Sequence, residues 1–154
     1  MSGELLASMA ELWEALGARP GLARTLARHA AEIAEGTVPQ RTKELCALMV
    51  SWLNACENCT RAHAEMAQGL GVDRATLDDL ANYARSEHFS PAERAALAAA
   101  VAITREPRAL PPAVREALEA HYDAGEIVEI VAAIGLTNYV SRASNVITRR
   151  GTGS

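Results

Sequence analysis

The sequence lacks a hydrophobic run long enough to cross a membrane. A membrane-spanning helix needs roughly 20 consecutive apolar residues, and the longest apolar stretch, residues 95–103, is short and rich in alanine. The N-terminal residues include acidic ones where a secretory signal peptide carries a basic region, and they contain no uninterrupted apolar segment. We therefore expect a cytoplasmic protein that does not associate with a membrane.

Positive charge and aromatic side chains are also scarce. The formal net charge is −4 and the arginines are scattered rather than clustered, whereas a nucleic-acid-binding protein usually presents a basic face. Aromatic residues make up 4% of the chain, while 49% of it is hydrophobic and alanine is prominent. Because alanine and leucine are strong helix formers and no segment alternates like a β-strand, the sequence predicts an all-α protein without a nucleic-acid partner.

The helical pattern extends over nearly the whole chain and predicts a single-domain bundle of about eight helices. Two helix starts, at Ser90 to Glu93 and at Asp123 to Glu126, combine a capping side chain with a glutamate three residues later. We expect N-terminal helices at 1–37, a core at 38–148 and a disordered tail at 149–154. The first helix carries an apolar stripe that can pack within the subunit or against another subunit: Leu5, Leu6, Met9, Leu12 and Trp13.

Cysteine is rare, with three residues in the chain, and the odd number argues against the fully paired framework of a secreted domain. In a reducing cytosol, a CxxC pair is usually catalytic or metal-binding. Cys56 and Cys59 form such a pair at the start of a predicted helix, after a tight turn in which Asn54 is suited to cap that helix. The all-α context argues against a thioredoxin fold, in which the pair belongs to a βαβ unit.

Two further residues are expected within reach of this pair. Cys56 and Cys59 share a helix face, and the unsatisfied amides of the first turn stabilise a thiolate there. His63 follows Cys59 by one turn and can accept its proton, while Glu44 on the preceding antiparallel helix lies within reach of His63. We interpret these four residues as a redox site with a Glu44/His63 proton relay.

Two other interpretations of the same residues stay open at this point. Zinc would need four ligands, or three and a water, and these four side chains nominally supply them, but cysteines three apart on a regular helix converge poorly. A purely structural role would make both cysteines small core residues, as we expect for Cys46 in the apolar run LCALMV. No motif for haem, flavin or nicotinamide is visible, so we expect no bound cofactor and no metal.

The spacing of these residues carries a family resemblance. Glu44, eleven intervening residues, Cys56-x-x-Cys59, three more residues and His63 resemble the pattern of the carboxymuconolactone decarboxylase superfamily, in its AhpD-like alkylhydroperoxidase branch. The segments FSPAERAALAAAVAIT and EIVEIVAAIGLTNYVSR resemble later helices of that family. The resemblance runs from about residue 38 to residue 147.

This resemblance implies an all-helical fold assembled as a homotrimer or homohexamer. It also implies that Glu44, Cys56, Cys59 and His63 are catalytic, and that a hydroperoxide is reduced as Cys56 and Cys59 form a disulfide. An external dithiol would then restore the thiols, and family members are linked to peroxiredoxins and to lipoyl-type adaptors. We expect Cys59, which faces His63, to attack the peroxide, and Cys56 to be the resolving and more exposed thiol.

One residue departs from the family pattern. Better-studied members have a second histidine immediately before the second cysteine, where this chain has Asn58, which hydrogen-bonds but does not shuttle a proton. The departure leaves alternatives to peroxide reduction: a thiol-disulfide oxidoreductase or a redox sensor serving a protein partner. A lactone decarboxylase is a further alternative, but that branch of the family does not need the two cysteines.

Overall fold

A computed structural model describes residues 12–106 and 108–147, and within these residues every regular element is helical. The prediction of an all-α fold is thereby confirmed, whereas the tail at 149–154 and Leu5, Leu6 and Met9 lie outside the described residues. The helices are α1 (residues 12–17), α2 (Pro20–Ala34), α3 (Gln40–Leu53), α4 (Glu57–Gly69), α5 (Arg74–Asp78), α6 (Pro91–Arg105), α7 (Pro112–Glu119) and α8 (Ala124–Ile147), with a 3₁₀ turn at Leu80–Asn82. No described helix combines the length and the apolar character that crossing a bilayer requires.

The centre of the bundle is α3, which packs against α4, α6 and α8. Nine of its residues are buried, and Leu45 and Val50 have no accessible surface at all. Helix α6 meets it with small side chains, since Ala96 and Ala100 are also completely buried at a spacing of four residues. Small residues let two backbones approach closely, so alanine, which is abundant in the sequence, forms the surface of α6 that packs against α3.

Both helix starts read from the sequence occur in the structure. At α6, Ser90 accepts the amide of Glu93 at 3.1 Å and its own amide donates to the Glu93 carboxylate at 2.8 Å. At α8, Asp123 and Glu126 exchange the equivalent bonds at 2.8 and 3.0 Å. Each pair satisfies donors that a helix N-terminus otherwise leaves free, so these ends are set by local sequence.

A buried ion pair ties α3 and the segment before it to α8. The Lys43 ammonium lies 2.7 Å from the Glu129 carboxylate, with 6% and 12% of the two side chains exposed. The same carboxylate accepts the backbone amides of Thr37 at 2.9 Å and Val38 at 3.2 Å, while Lys43 also donates to the carbonyl of Ile33 at 2.8 Å. The end of α2 is therefore held against the bundle by charge-assisted hydrogen bonds.

Candidate functional site

The two cysteines of the CxxC pair are joined by a disulfide at the start of α4. Their Sγ atoms are 2.07 Å apart and their Cα atoms 5.3 Å apart. Cys56 is the residue that precedes the helix, and its amide donates to the carbonyl of Ser51 at 3.0 Å. Its own carbonyl accepts both the amide and the hydroxyl of Thr60, at 2.8 and 2.9 Å. The backbone around the pair is thus fixed on both sides.

The turn directly before Cys56 is held in place by hydrogen bonds to α8. Ala55 has a positive φ of 52°, a conformation that residues other than glycine rarely adopt. Asn54 donates to the side chain of Asn138 at 2.9 Å, and its carbonyl accepts the Asn145 amide group at 2.8 Å. Arg142 donates to the Asn54 side-chain oxygen at 3.3 Å.

These bonds correct the expected role of Asn54. The sequence suggested that its side chain caps α4, but the residue ends α3 and its side chain is used for contact with α8. The network continues to α6, because Asn138 donates to the Thr104 hydroxyl at 3.0 Å. Three helices therefore determine the path of the chain into the CxxC pair.

Glu44 and His63 meet across the antiparallel pair of α3 and α4. The Oε2 atom of Glu44 lies 2.8 Å from Nδ1 of His63, and each side chain is 20% exposed. When Nδ1–H donates to the carboxylate, the neutral imidazole keeps Nε2 as its proton acceptor. The pair can therefore receive a proton at Nε2 and stabilise the resulting imidazolium, although the catalytic roles of both residues stay predictions.

A cavity of about 260 Å³ opens beside Cys59 and His63. Its walls are mostly apolar and come from four helices. The lining residues are Leu12, Trp13 and Leu16 of α1, Leu26 and Ala30 of α2, Asn58, Cys59, Ala62, His63 and Met66 of α4, and Leu136, Thr137, Val140 and Ser144 of α8. An apolar cavity with a few polar groups in its lining is the usual form of a small-molecule site.

The exposure of the two cysteines is the reverse of our expectation. Cys56 is buried, with 2% of its surface accessible, whereas Cys59 is partly accessible and lines the cavity. Cys56 is enclosed because the turn before it folds back and its amide bonds to Ser51. In the disulfide form, a small molecule in the cavity meets Cys59 and not Cys56.

Asn58, which stands where the family pattern has a histidine, also lines this cavity. Its side-chain oxygen accepts a hydrogen bond from the guanidinium of Arg61 at 3.1 Å. An amide in this position offers a polar contact without titrating. In the parts of the chain that the structure describes, no three His, Cys, Asp or Glu side chains are grouped so that they could hold a metal ion.

The third cysteine lies apart from the site. Cys46 is buried in α3 with 1% of its surface accessible. Burial, with a smaller contribution from the charge of Glu93, raises the pKa of the Cys46 thiol to about 12. A thiol in this state is not a nucleophile at neutral pH, since the reactive form is the thiolate.

Sequence reasoning missed the walls of the cavity. The apolar stripe of the first helix was recognised, but its partner was left open, and the structure places Leu12 and Trp13 on the cavity. The α8 wall gave no sequence signal beyond ordinary apolar periodicity. Asn138 and Asn145 were also missed as supports of the turn, since nothing local to them indicates the CxxC segment.

Known proteins resemble this chain in sequence and in fold. A sequence model of the carboxymuconolactone decarboxylase family matches residues 20–102, which is more than half of the chain. The uncharacterised protein YdfG of Bacillus subtilis (strain 168) is 27% identical over 117 residues, covering 75% of this chain and 80% of YdfG.

Solved structures with the same fold include a protein of unknown function from Agrobacterium tumefaciens that has been proposed to be the antioxidant defence protein AhpD. It has a TM-score of 0.81 at 23% identity, with 90% of this chain and 96% of that chain covered. The debrominase Bmp8 has a TM-score of 0.79 at 25% identity, with 88% of this chain and 73% of that chain covered. These similarities show the AhpD-like helical fold.

Proposed function

Because the chain belongs to the carboxymuconolactone decarboxylase family, we propose that it is a thiol-dependent hydroperoxide reductase that cycles through the Cys56–Cys59 disulfide. One observation carries the proposal: Cys59 and a Glu44-bonded His63 line the same apolar cavity, while the second thiol is within disulfide distance. The likeness to a protein proposed to be AhpD supports a peroxidase-related antioxidant role.

The first step oxidises Cys59. His63 takes the thiol proton at Nε2, and the Cys59 thiolate attacks the peroxide oxygen that carries the hydrogen, which breaks the O–O bond. The sulfur becomes a sulfenic acid and the other oxygen leaves as an alkoxide, which the His63 imidazolium protonates to an alcohol. The Glu44 carboxylate holds the ring in the tautomer this transfer needs and stabilises its charged form.

The second step closes the disulfide and an external dithiol reopens it. The Cys56 sulfur attacks the sulfenic sulfur, and the expelled hydroxide takes up the proton that Cys56 loses, leaving water. Two electrons have then moved from the thiols to the peroxide. A dithiol of the lipoyl type, or a peroxiredoxin-linked system, reduces the disulfide and is itself oxidised.

The assignment of Cys59 as the attacking thiol is supported by its position in the cavity. Cys56 is buried behind the turn and suits the resolving role, which requires only that it reach Cys59. With Asn58 in place of a histidine, we propose that all proton transfer passes through His63 and Glu44. We also propose that the N-terminal helices up to residue 37 and the core of 38–148 make up one subunit of a cytoplasmic homotrimer or homohexamer.

The proposal is tested by steady-state consumption of an alkyl hydroperoxide with a dithiol as reductant. Cys59→Ser is expected to abolish turnover and Cys56→Ser to stop it after one oxidation, leaving a sulfenic acid on Cys59. His63→Ala is expected to lower the rate constant about 100-fold or more, the usual contribution of a general acid-base group.

Matched controls are available for each variant. Cys46→Ala removes a thiol and His121→Ala an exposed histidine, both outside the cavity, and neither should change turnover. Full peroxide consumption by Cys59→Ser would contradict the proposal. Rapid reduction of a protein disulfide without peroxide consumption would instead favour a thiol-disulfide oxidoreductase, and an oxidised form that no dithiol recycles would favour a sensor.

Reductive dehalogenation is a second candidate, since Bmp8 is a debrominase and the cavity suits an apolar ring. Two thiols would supply two electrons, releasing a halide and replacing the halogen by hydrogen as the disulfide forms. Release of one bromide per disulfide from a bromopyrrole, with no reaction towards hydroperoxides, would favour this reaction over peroxide reduction.

A further inference from the structure

We propose that Trp13 of α1 is a specificity-determining residue, whose indole forms a wall of the cavity and favours hydroperoxides with an aromatic ring or comparable apolar bulk. The inference rests on the proposed function, because it names the substrate that the Cys59 site prefers. It concerns a segment that contains none of the predicted catalytic residues.

Helix α1 presents one face to the cavity. Leu12 and Leu16 are one turn apart and buried, with 9% and 7% of their surfaces accessible. Trp13 also lines the cavity but remains 43% exposed. A side chain that contacts both the cavity and solvent lies at the boundary between them, so the indole borders the opening as well as the interior.

Part of the cavity wall comes from outside the segment that carries the reacting residues. Cys59 and His63 lie within the 20–102 segment that matches the family, whereas α1 precedes this segment and α8 follows it. The proposed redox residues and these two walls therefore lie in different segments of the chain. Substrate preference can be set by walls on α1 and α8 without altering the reacting residues.

The size and polarity of the cavity indicate the substrate class. An apolar cavity of about 150 Å³ is enough to bind benzene, and this one measures about 260 Å³. A phenyl ring with a branched hydroperoxide group is therefore of a size that the cavity can hold, and the lining supplies polar groups for the peroxide at Asn58, Cys59 and His63. Hydrogen peroxide has no apolar surface, so it gains nothing from contact with Trp13.

The first test compares cumene hydroperoxide with hydrogen peroxide by the ratio of their second-order rate constants. Burying one methylene is worth roughly a fourfold change in affinity. Loss of about two methylenes' worth of contact in Trp13→Ala should therefore lower the ratio about 15-fold. Trp13→Phe should retain most of the ratio, and Trp52→Ala, the other tryptophan of the chain, is the matched control because it lies outside the cavity.

The second test does not depend on peroxide chemistry. Isothermal titration with 2-phenylpropan-2-ol, the alcohol formed from cumene hydroperoxide, measures binding to the cavity directly. We expect Trp13→Ala to weaken binding about 15-fold and Val140→Phe, which fills the cavity from α8, to prevent it. Val131→Phe is a matched control on the same helix, since Val131 is 40% exposed and does not line the cavity.

The two tests separate failure of this inference from failure of the proposed function. If both peroxides react slowly but the alcohol binds in a Trp13-dependent way, the proposed function is wrong while the apolar selection by Trp13 is supported. If peroxides react rapidly while Trp13→Ala changes neither the ratio nor the affinity, the role of Trp13 is refuted. Equal binding by Val140→Phe and the wild type would also overturn it, because the ligand would then lie elsewhere.

Discussion

Removing the Glu129 carboxylate should destabilise the fold far more than removing a surface acid. Glu129→Ala leaves the Lys43 ammonium buried, with only the Ile33 carbonyl as a partner among the bonds described above. It also removes the acceptor of the Thr37 and Val38 amides, the second of which belongs to a buried residue. Breaking a buried pair from one side costs about 3–5 kcal/mol, and we expect a loss of this size.

The matched control is an ion pair with nearly the same geometry in solvent. Arg74 and Asp78 lie 2.8 Å apart on α5, with 79% and 60% of their side chains exposed. Asp78→Ala should lower stability by no more than about 0.5 kcal/mol, as for other exposed pairs four residues apart. The measurement is urea denaturation at pH 7 with the cysteines in one redox state. It compares the wild type with Glu129→Ala, Asp78→Ala, Lys43→Ala and the Lys43→Ala/Glu129→Ala double variant.

Glu129 should also make the free energy of unfolding depend on pH. Burial raises the pKa of the Glu129 carboxyl, but the hydrogen bonds from Lys43 and the amides of Val38 and Thr37, with the Lys43 charge, outweigh it and hold the pKa below its ordinary value. Because the folded-state pKa is the lower one, the stabilisation is complete above the unfolded pKa of about 4.3. It is lost as the pH falls through the folded-state value.

The stability difference between wild type and Glu129→Ala should therefore shrink in acid. A coupling energy of about 2 kcal/mol between Lys43 and Glu129 at pH 7 is expected from the double-mutant cycle. The reasoning is refuted if the stability losses of Lys43→Ala and Glu129→Ala simply add in the double variant. It is also refuted if the stability difference between the wild type and Glu129→Ala is the same at pH 6 and pH 3.

Three further predictions concern the surroundings of the redox site. In the reduced folded protein, the Cys46 thiol should resist iodoacetamide at pH 8 while Cys59 reacts, and Cys46 should react only in urea, because burial raises its pKa to about 12; mass mapping identifies the labelled residues. Asn138→Ala should cost about 1–3 kcal/mol in urea denaturation, since the side chains of Asn54 and Thr104 lose a partner. Ala55→Gly should raise the free energy of unfolding by about 0.5–1 kcal/mol in the same assay, because glycine adopts the positive φ without a steric penalty; a loss instead would mean that the turn is not strained.

Much of the fold was readable from local sequence. The bundle follows from helical periodicity and alanine content, and the starts of α6 and α8 follow from capping residues three positions apart. The approach of Glu44 to His63 also follows locally, because a tight turn between two antiparallel helices fixes which positions are level. In each case, the interacting residues lie at one helix start or on two consecutive helices.

The features that could not be read from the sequence depend on distant residues. The Asn54 bonds to α8 join positions 84 and 91 apart, and the Lys43–Glu129 pair joins positions 86 apart. Nothing in the helix containing Asn54 specifies these partners, so its side chain was expected to cap α4. The exposure of Cys56 was misjudged for a related reason, since a helix N-terminus is accessible only when no neighbouring element covers it.

The measurement that most directly tests the redox function is a single-turnover reaction of the reduced protein with one equivalent of cumene hydroperoxide, followed by stopped flow and mass spectrometry. We predict a rate constant far above that of free cysteine, and a product with one Cys56–Cys59 disulfide and one equivalent of alcohol. A rate equal to that of a free thiol, or a product in which Cys59 is unoxidised, would contradict the proposed peroxide reduction.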